Sequence, residues 1–416
     1  MKQSSVLHLT AVDFGGAGKF ALDLNDLLLQ MGYRSYLVAM DVKSDNPRVL
    51  RYPQKPFARF FRRALRRHAK NRLRKVQFDY DYYFYNVLEK YPKGSAKEIL
   101  KLLTQKPEVI FLHWLTDFVN AKVIHDLYRF TGAKIYWIMI DNAPITGGCH
   151  YPWECRGYQT NCGNCPAIVS KKWKWLAEYN LALKLKYLPH QLSLVTGSQT
   201  EHLRASLSAI FKNKQIIKML GFVDENKYQP GNKESARVYF NIPENKKVLF
   251  FGAASLKEKR KGMQLLLNAI EQLCMDGLLL LVAGNMQEMR IANRDVKMLG
   301  YLNEADLIKA YQAADAFVCP SVEDSGPMMI NQSIMCGTPV IAFANGVALD
   351  LVINGQTGYR ASKGDSNDLA IGIQNVLQLT KKEMEQMRLN CRNVALQNYS
   401  SSVIKNQLLE LMEHHE

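Results

Sequence analysis

The stretch Val318–Phe343 reads VCPSVEDSGPMMINQSIMCGTPVIAF and sets a carboxylate, Glu323, just ahead of Ser325-Gly326-Pro327. An apolar segment follows and stops at Gly337. Ser suits a helix N-cap, Pro the first turn and Gly the position past the end. The pattern therefore predicts a strand, an acidic turn, a helix and a second strand. Free amides near Gly326, Met328 and Met329 would then face outward with the partial positive charge of a helix start, which suits a phosphate. Glu323 beside them suits the hydroxyls of a sugar. A plain capped helix in an α/β core would give the same pattern but would leave the acid unexplained.

A second chemically suggestive stretch lies upstream. The apolar run Val248–Phe251 leads into Gly252-Ala253-Ala254-Ser255 and then Lys257-Glu258-Lys259-Arg260-Lys261-Gly262. Glycine at a strand end lets backbone approach a ligand, Arg can grip a diphosphate with two N–H groups, and Lys adds a point charge. A solvated basic loop is the alternative. In the first half, Val6–Thr10 reads as a strand entering the glycine-rich turn Asp13-Phe14-Gly15-Gly16-Ala17-Gly18 and a helix over Lys19–Met31. Val109–Leu112 ends in His113-Trp114, and Lys134–Ile140 ends in Asp141-Asn142. Ligands of open α/β sheets sit beyond the carboxyl ends of strands, so His113 and Asp141 stand where chemistry is expected, although each also fits a structural role.

Cys149, Cys155, Cys162 and Cys165 fall within the loop 146–166, which has little apolar content of its own. Four thiolates can bind zinc tetrahedrally and staple such a loop, with no open position for catalysis; free thiols or redox use are the alternatives, and His150 could replace one sulfur. Cys274, Cys319, Cys336 and Cys391 sit singly in apolar patterns and read as core. Residues 55–75, KPFARFFRRALRRHAKNRLRK, form the densest basic segment, with Phe57, Phe60, Phe61 and Leu65 among the cations. A basic helix with an aromatic side fits an anionic membrane surface; a solvated face or a nucleic-acid patch would share its charge.

These residues need elements to hold them. Helical and strand patterns alternate through all 416 residues, and 47% hydrophobic with 22% charged residues is a globular composition that predicts parallel sheets covered by helices. The apolar pattern lapses between Gly221 and Glu234, which divides the chain into 1–217 and 218–389, with helices over about 390–416 returning to the first part. A net charge of +16 implies an anionic partner without naming it. No apolar run reaches the about 18–20 residues of a membrane span, and the start MKQSSVLHLT has no signal-peptide core, so the expectation is a cytoplasmic protein, peripheral on the membrane's inner face.

The ordered set FFGAASLKEKRKG, LGYLNEADLIKAYQAADAFVCPS, EDSGPMMINQSIMCGTPVIAF and INGQTGYR resembles the retaining glycosyltransferases of family 4. TGGCHY with the later cysteines looks like a branch that builds capsular, exopolysaccharide or lipopolysaccharide chains. The resemblance implies a GT-B fold: two Rossmann-like α/β domains, their parallel sheets facing across a cleft, an acceptor domain over 1–217 and a donor domain over 218–389. It implies a nucleotide diphosphate sugar as donor, a lipid-linked glycan acceptor, no nucleic-acid partner and no catalytic metal. Arg260 and Lys261 would contact the donor diphosphate, Glu323 the sugar, and Gly326, Pro327, Met328 and Met329 sugar and phosphate. Tyr301 and Leu302 would lie near the base, Gly252 near the donor, and Gly15 and Gly16 at the diphosphate. Three positions depart from the family pattern: Asn331 replaces the acid expected on the ribose, Ile140 replaces the His before Asp141 with His113 the nearest substitute, and Ala253 and Ala254 stand where an Arg is common. A catalytically degenerate scaffold of the same fold is the alternative those departures suggest, and a basic nucleic-acid-binding protein is the further alternative the charge of +16 suggests.

Overall fold

The computed structural model describes residues 4–53, 56–87, 89–285 and 295–413. The chain divides into two compact units, Met1–Gly197 with Glu201–Met219 and Lys405–Glu416, and Ser198–Thr200 with Leu220–Ile404. Each unit is built on one wholly parallel sheet. In the first, β1 (Ser5–Val12), β2 (Arg34–Asp41), β3 (Val49–Arg51), β4 (Val109–Leu112), β5 (Lys134–Met139), β6 (Ser193–Thr196) and β7 (Ile216–Lys218) run in the order β3-β2-β1-β4-β5-β6-β7. In the second, β8 (Lys247–Ser255), β9 (Leu278–Asn285), β10 (Asp295–Gly300), β11 (Ala316–Cys319), β12 (Val340–Phe343) and β13 (Gly358–Ala361) run β10-β9-β8-β11-β12-β13. Both orders are Rossmann-like.

The strands form where the sequence is apolar on both faces, as a sheet covered by helices requires. Every residue of β4, β11 and β12 is buried. In each unit the direction of strand addition reverses once, between β1 and β4 and between β8 and β11. Connections leave those neighbouring strand ends toward opposite faces, and the crevice between them is where such sheets take ligands. The helix Gly15–Gln30 opens directly after β1, starting on the glycines themselves and not at Lys19 as the sequence suggested. The terminal helix Ser401–Glu413 is tied to the first sheet, where Tyr136 Oη donates to the carbonyl of Leu411 at 2.8 Å.

One turn differs from expectation. Pro327 occupies the N-cap of the helix Met328–Met335 and offers it no side-chain hydrogen bond; Ser325 lies outside the helix. The segment Gly355–Tyr359 delivers β13 parallel to β12. Gly262 explains the end of the basic run. Its φ of +70° is left-handed, and a Cβ there would overlap the carbonyl oxygen of Pro320. We expect Gly262→Ala to lower the unfolding temperature of the second unit well beyond Gly355→Ala, whose φ of +75° carries the same backbone strain but which has nothing within 4 Å of the added Cβ. By calorimetry the difference should correspond to about 1–3 kcal/mol of overpacking.

Candidate functional site

The second unit's switch point gathers most of the residues singled out in the sequence. After β8 the chain makes a short 3-10 turn, Lys259–Lys261. The N–H groups of Val322 and Glu323, just past β11, donate to the Arg260 carbonyl at 2.9 and 3.4 Å, so the basic turn and the acidic turn are stitched together. Arg260 Nη1 and Lys261 Nζ both reach Asp324 Oδ2, at 3.2 and 2.6 Å, and Arg260 Nη2 reaches Glu258 Oε2 at 2.6 Å. Asp324 Oδ1 accepts the N–H of Ser325 at 3.0 Å. Burial would raise the Asp324 carboxyl, but Lys261 and Arg260 outweigh it and hold the group below the ordinary carboxylate value. The sequence reading assigned the acid at this point to Glu323 and missed Asp324; the signal available was an acidic pair facing a basic pair. Glu323 itself is fully buried.

Around this cluster the helix Met328–Met335 presents a first turn without a side-chain cap, and an added Cβ at Gly326 would have nothing within 4 Å. Gly252, at the end of β8, is where Met329 packs so closely that a Cβ would overlap its methyl group. Asn331 is buried, its amide nitrogen donating to the Gly221 carbonyl at 3.2 Å. Tyr301 and Leu302 follow β10, the edge strand, with Tyr301 71% exposed; they are not neighbours of the β8 and β11 ends in the sheet order.

In the first unit, Gly15 and Gly16 are exposed at the start of their helix, and an added Cβ on either would have nothing within 4 Å. Asp13 faces the loop after β2, accepting the N–H groups of Lys43 and Ser44 at 2.8 and 3.0 Å. His113, at the end of β4, is 2% exposed and shares a 3.0 Å hydrogen bond with the buried His8. Burial lowers His113 to about 3 and His8 well below the ordinary imidazole value, so this pair is neutral. The imidazole beside Asp141 is His150, not His113. His150 Nδ1 lies 2.6 Å from Asp141 Oδ2, while Asp141 Oδ1 accepts the Ala143 N–H at 2.8 Å. Nε2 of the same ring faces Thr116 Oγ1 and Asn86 Oδ1 at 3.4 Å each. TGGCHY showed His150 only as a candidate metal ligand; its pairing with Asp141 crosses a loop that spacing does not reveal.

Cys149, Cys155, Cys162 and Cys165 all line one cavity of about 10 Å³. Cys162 Sγ accepts the N–H of Gly147 at 3.3 Å and Cys155 Sγ that of Gly157 at 3.4 Å. Burial pushes Cys162 up to about 11, Cys165 to about 12 and Cys149 well above the ordinary thiol value. Among the described residues no three His, Cys, Asp or Glu side chains stand together as a ligand set for a metal ion. The four cysteine side chains line this one cavity together with Thr146, Gly147 and Gly148.

Residues 232–394 match the family of glycosyl transferases group 1. A phosphatidyl-myo-inositol mannosyltransferase of Mycobacterium leprae is 27% identical over 40% of this chain and 46% of its own length. A D-inositol 3-phosphate glycosyltransferase of Mycolicibacterium smegmatis is 29% identical over 37% of this chain and 38% of its own. The chain thus spans less than half the length of these relatives. Among solved structures, a sucrose-phosphate synthase from Thermosynechococcus elongatus superposes with a TM-score of 0.70 at 17% identity, covering 99% of this chain and 98% of that one. HepE of Anabaena, solved in complex with UDP and glucose, gives 0.65 at 15%, covering 99% and 100%. WaaG, a glycosyltransferase involved in lipopolysaccharide biosynthesis, gives 0.63 at 14%, covering 98% and 100%. The fold is GT-B, and the match to glycosyl transferases group 1 lies within the second unit.

Removing the central carboxylate leaves Arg260 and Lys261 facing each other. We expect Asp324→Asn to destabilise the second unit by about 3 kcal/mol in chemical unfolding at neutral pH. Because the folded carboxyl is held below its unfolded value, the stabilisation is complete above about pH 4 and drains as pH falls through the lowered folded value. The variant's deficit should therefore narrow in acid.

Proposed function

We propose that this chain is a retaining glycosyltransferase that moves a sugar from a nucleotide diphosphate donor to an acceptor hydroxyl on a lipid-linked glycan. The observation that carries the reading is the Arg260–Lys261 pair beside an uncapped helix start at the β8/β11 switch point, inside the segment matching glycosyl transferases group 1. Departure of a nucleoside diphosphate builds negative charge as the anomeric carbon becomes oxocarbenium-like. Two fixed cations and the amides near Gly326, Met328 and Met329 would stabilise that charge, the electrostatic contribution that usually counts most. No catalytic metal enters this scheme. Asp324 keeps the cations in place before the donor arrives, and the diphosphate would share them with it. Glu323 would orient the sugar, and Asp141 would hold His150 with Nε2 toward an acceptor or sugar hydroxyl.

The names of the relatives fit nucleotide-sugar chemistry, and a phosphatidyl-inositol acceptor in one of them is consistent with a lipid-borne acceptor here. A role in surface polysaccharide assembly draws on WaaG and on TGGCHY. Attachment at an anionic membrane surface would use the helix Pro56–Leu73. Arg67, His68 and Lys70 are exposed on it, as are Arg74 and Lys75 just beyond, while Arg66 turns inward to Asp117 at 2.9 Å. Lys55 and the side chains of residues 56–63 and Arg72 lie outside the described residues. No helix among the described residues is long and apolar enough to cross a membrane.

Binding and hydrolysis measured across UDP-, GDP- and ADP-sugars should find one base preferred. Arg260→Ala should weaken donor binding and slow hydrolysis by about 10²–10³-fold, the scale of losing one charge-stabilising donor. Glu323→Ala should weaken binding of the sugar nucleotide more than of the nucleotide alone. His150→Gln should slow transfer while donor affinity holds. Binding to none of the donors would favour the degenerate scaffold and refute the enzyme.

A further inference from the structure

A second cavity lies in the first unit, away from the strand ends. It measures about 320 Å³ and lies between the basic helix Pro56–Leu73 and the segment Trp173–Asn180. This is within the range of about 300–1,000 Å³ typical of small-molecule sites. Its walls are mainly apolar and aromatic, with Leu73, Val87, Tyr91, Trp173, Trp175 and Tyr179 among them. The Trp173 and Trp175 rings lie 5.7 Å apart, and Tyr179 meets Trp175 edge-on at 6.0 Å. Trp175 is 49% exposed, unusually open for so large an apolar side chain, and Leu65 is 41% exposed on the same basic helix.

The polar lining is small and one-sided. His68 and Lys90 are the basic side chains among the described residues that line the cavity, and Asn180 has its amide committed to the Asn86 carbonyl at 2.9 Å. Lys171 and Lys172 are exposed in the turn leading into Trp173. No carboxylate among the described residues lines the cavity. The acids nearest in sequence are engaged elsewhere: Glu89 accepts the Ala121 N–H, Asp117 pairs with Arg66, and Glu178 accepts from Asn161. A glycan would need many hydrogen-bond partners that these walls lack. A hydrocarbon chain needs none, and a phosphate carried above it would meet Lys and His with no competing acid.

We propose that this groove takes one hydrocarbon chain of an anionic phospholipid, with the lipid phosphate against the cations at its mouth. The inference rests on the membrane-surface reading given above and turns it from a general attraction into a defined lipid subsite. Aromatic walls with a cationic rim are the chemistry of a side chain set that straddles the interface.

The test uses the full chain and vesicles of phosphatidylglycerol carrying dibrominated acyl chains, with phosphatidylcholine vesicles as the uncharged control. Flotation reports attachment, and tryptophan emission reports contact with bromine. The protein should float with phosphatidylglycerol and not with phosphatidylcholine, and its emission should be quenched. Trp175→Phe should remove much of the quenching, and Ala69→Phe, which fills the groove from the basic helix, should remove most of it while flotation persists. Flotation with quenching that neither substitution changes would overturn the lipid subsite and leave the membrane reading standing. Absence of flotation with phosphatidylglycerol would overturn both. Protection of Trp175 emission by a soluble oligosaccharide in place of lipid would assign the groove to a glycan and equally overturn the inference.

Discussion

The second unit turns on a carboxylate placed between two cations. In a doubly wound sheet the connections beyond β8 and β11 part to opposite faces, which opens a crevice that backbone alone cannot fill. Arg260 and Lys261 stand in that crevice with side chains only 11% and 20% exposed. Charges that far out of water cost several kcal/mol each unless a counter-ion meets them. Asp324 supplies it and is fixed in turn by the Ser325 amide. The arrangement holds only while the two turns keep register, which the Val322 and Glu323 bonds to the Arg260 carbonyl enforce and which Gly262 allows sterically. The two cations are thereby held in place by the protein's own carboxylates.

Much of this architecture is legible in sequence because burial on both faces leaves continuous apolar runs. β4 falls at the bounds its apolar run predicts. The glycines and prolines marked the turns, though not their hands. Legibility fails where partners are chosen across long sequence separations. Arg260 and Asp324 are 64 positions apart, and whether Glu323 or Asp324 meets the cations depends on a loop register that no local propensity encodes. The Asp141–His150 pair is missed for the same reason at shorter range. Its loop is closed by the Asn142 N–H donating to the His150 carbonyl at 3.0 Å, a tertiary choice without a periodic signature.

TGGCHY becomes intelligible as packing before chemistry. Thr146 Oγ1 donates to the Cys149 carbonyl at 2.5 Å, and a Cβ at Gly147 would overlap the Ala177 carbonyl oxygen. Gly148 lies against the Phe84 ring at a φ of +145°. Lys184, 1% exposed, reaches in to donate to the carbonyls of Ala143 and Thr146 at 2.5 and 2.9 Å. A loop with little apolar content is thus held by a buried ammonium on its own carbonyls, and the thiols complete the filling. The outcome of that packing is the delivery of His150 to Asp141.

Two of the three departures from the family pattern then acquire physical reasons. A histidine ahead of Asp141 would place an imidazole at the end of β5; here the loop brings one back from position 150 to the same carboxylate. At 331 the side chain is buried and its nitrogen donates to the Gly221 carbonyl. A carboxylate there would set two acceptors against each other and would lose that bond, at a cost of about 1–3 kcal/mol for an unmet buried acceptor. The amide is therefore the residue this backbone selects.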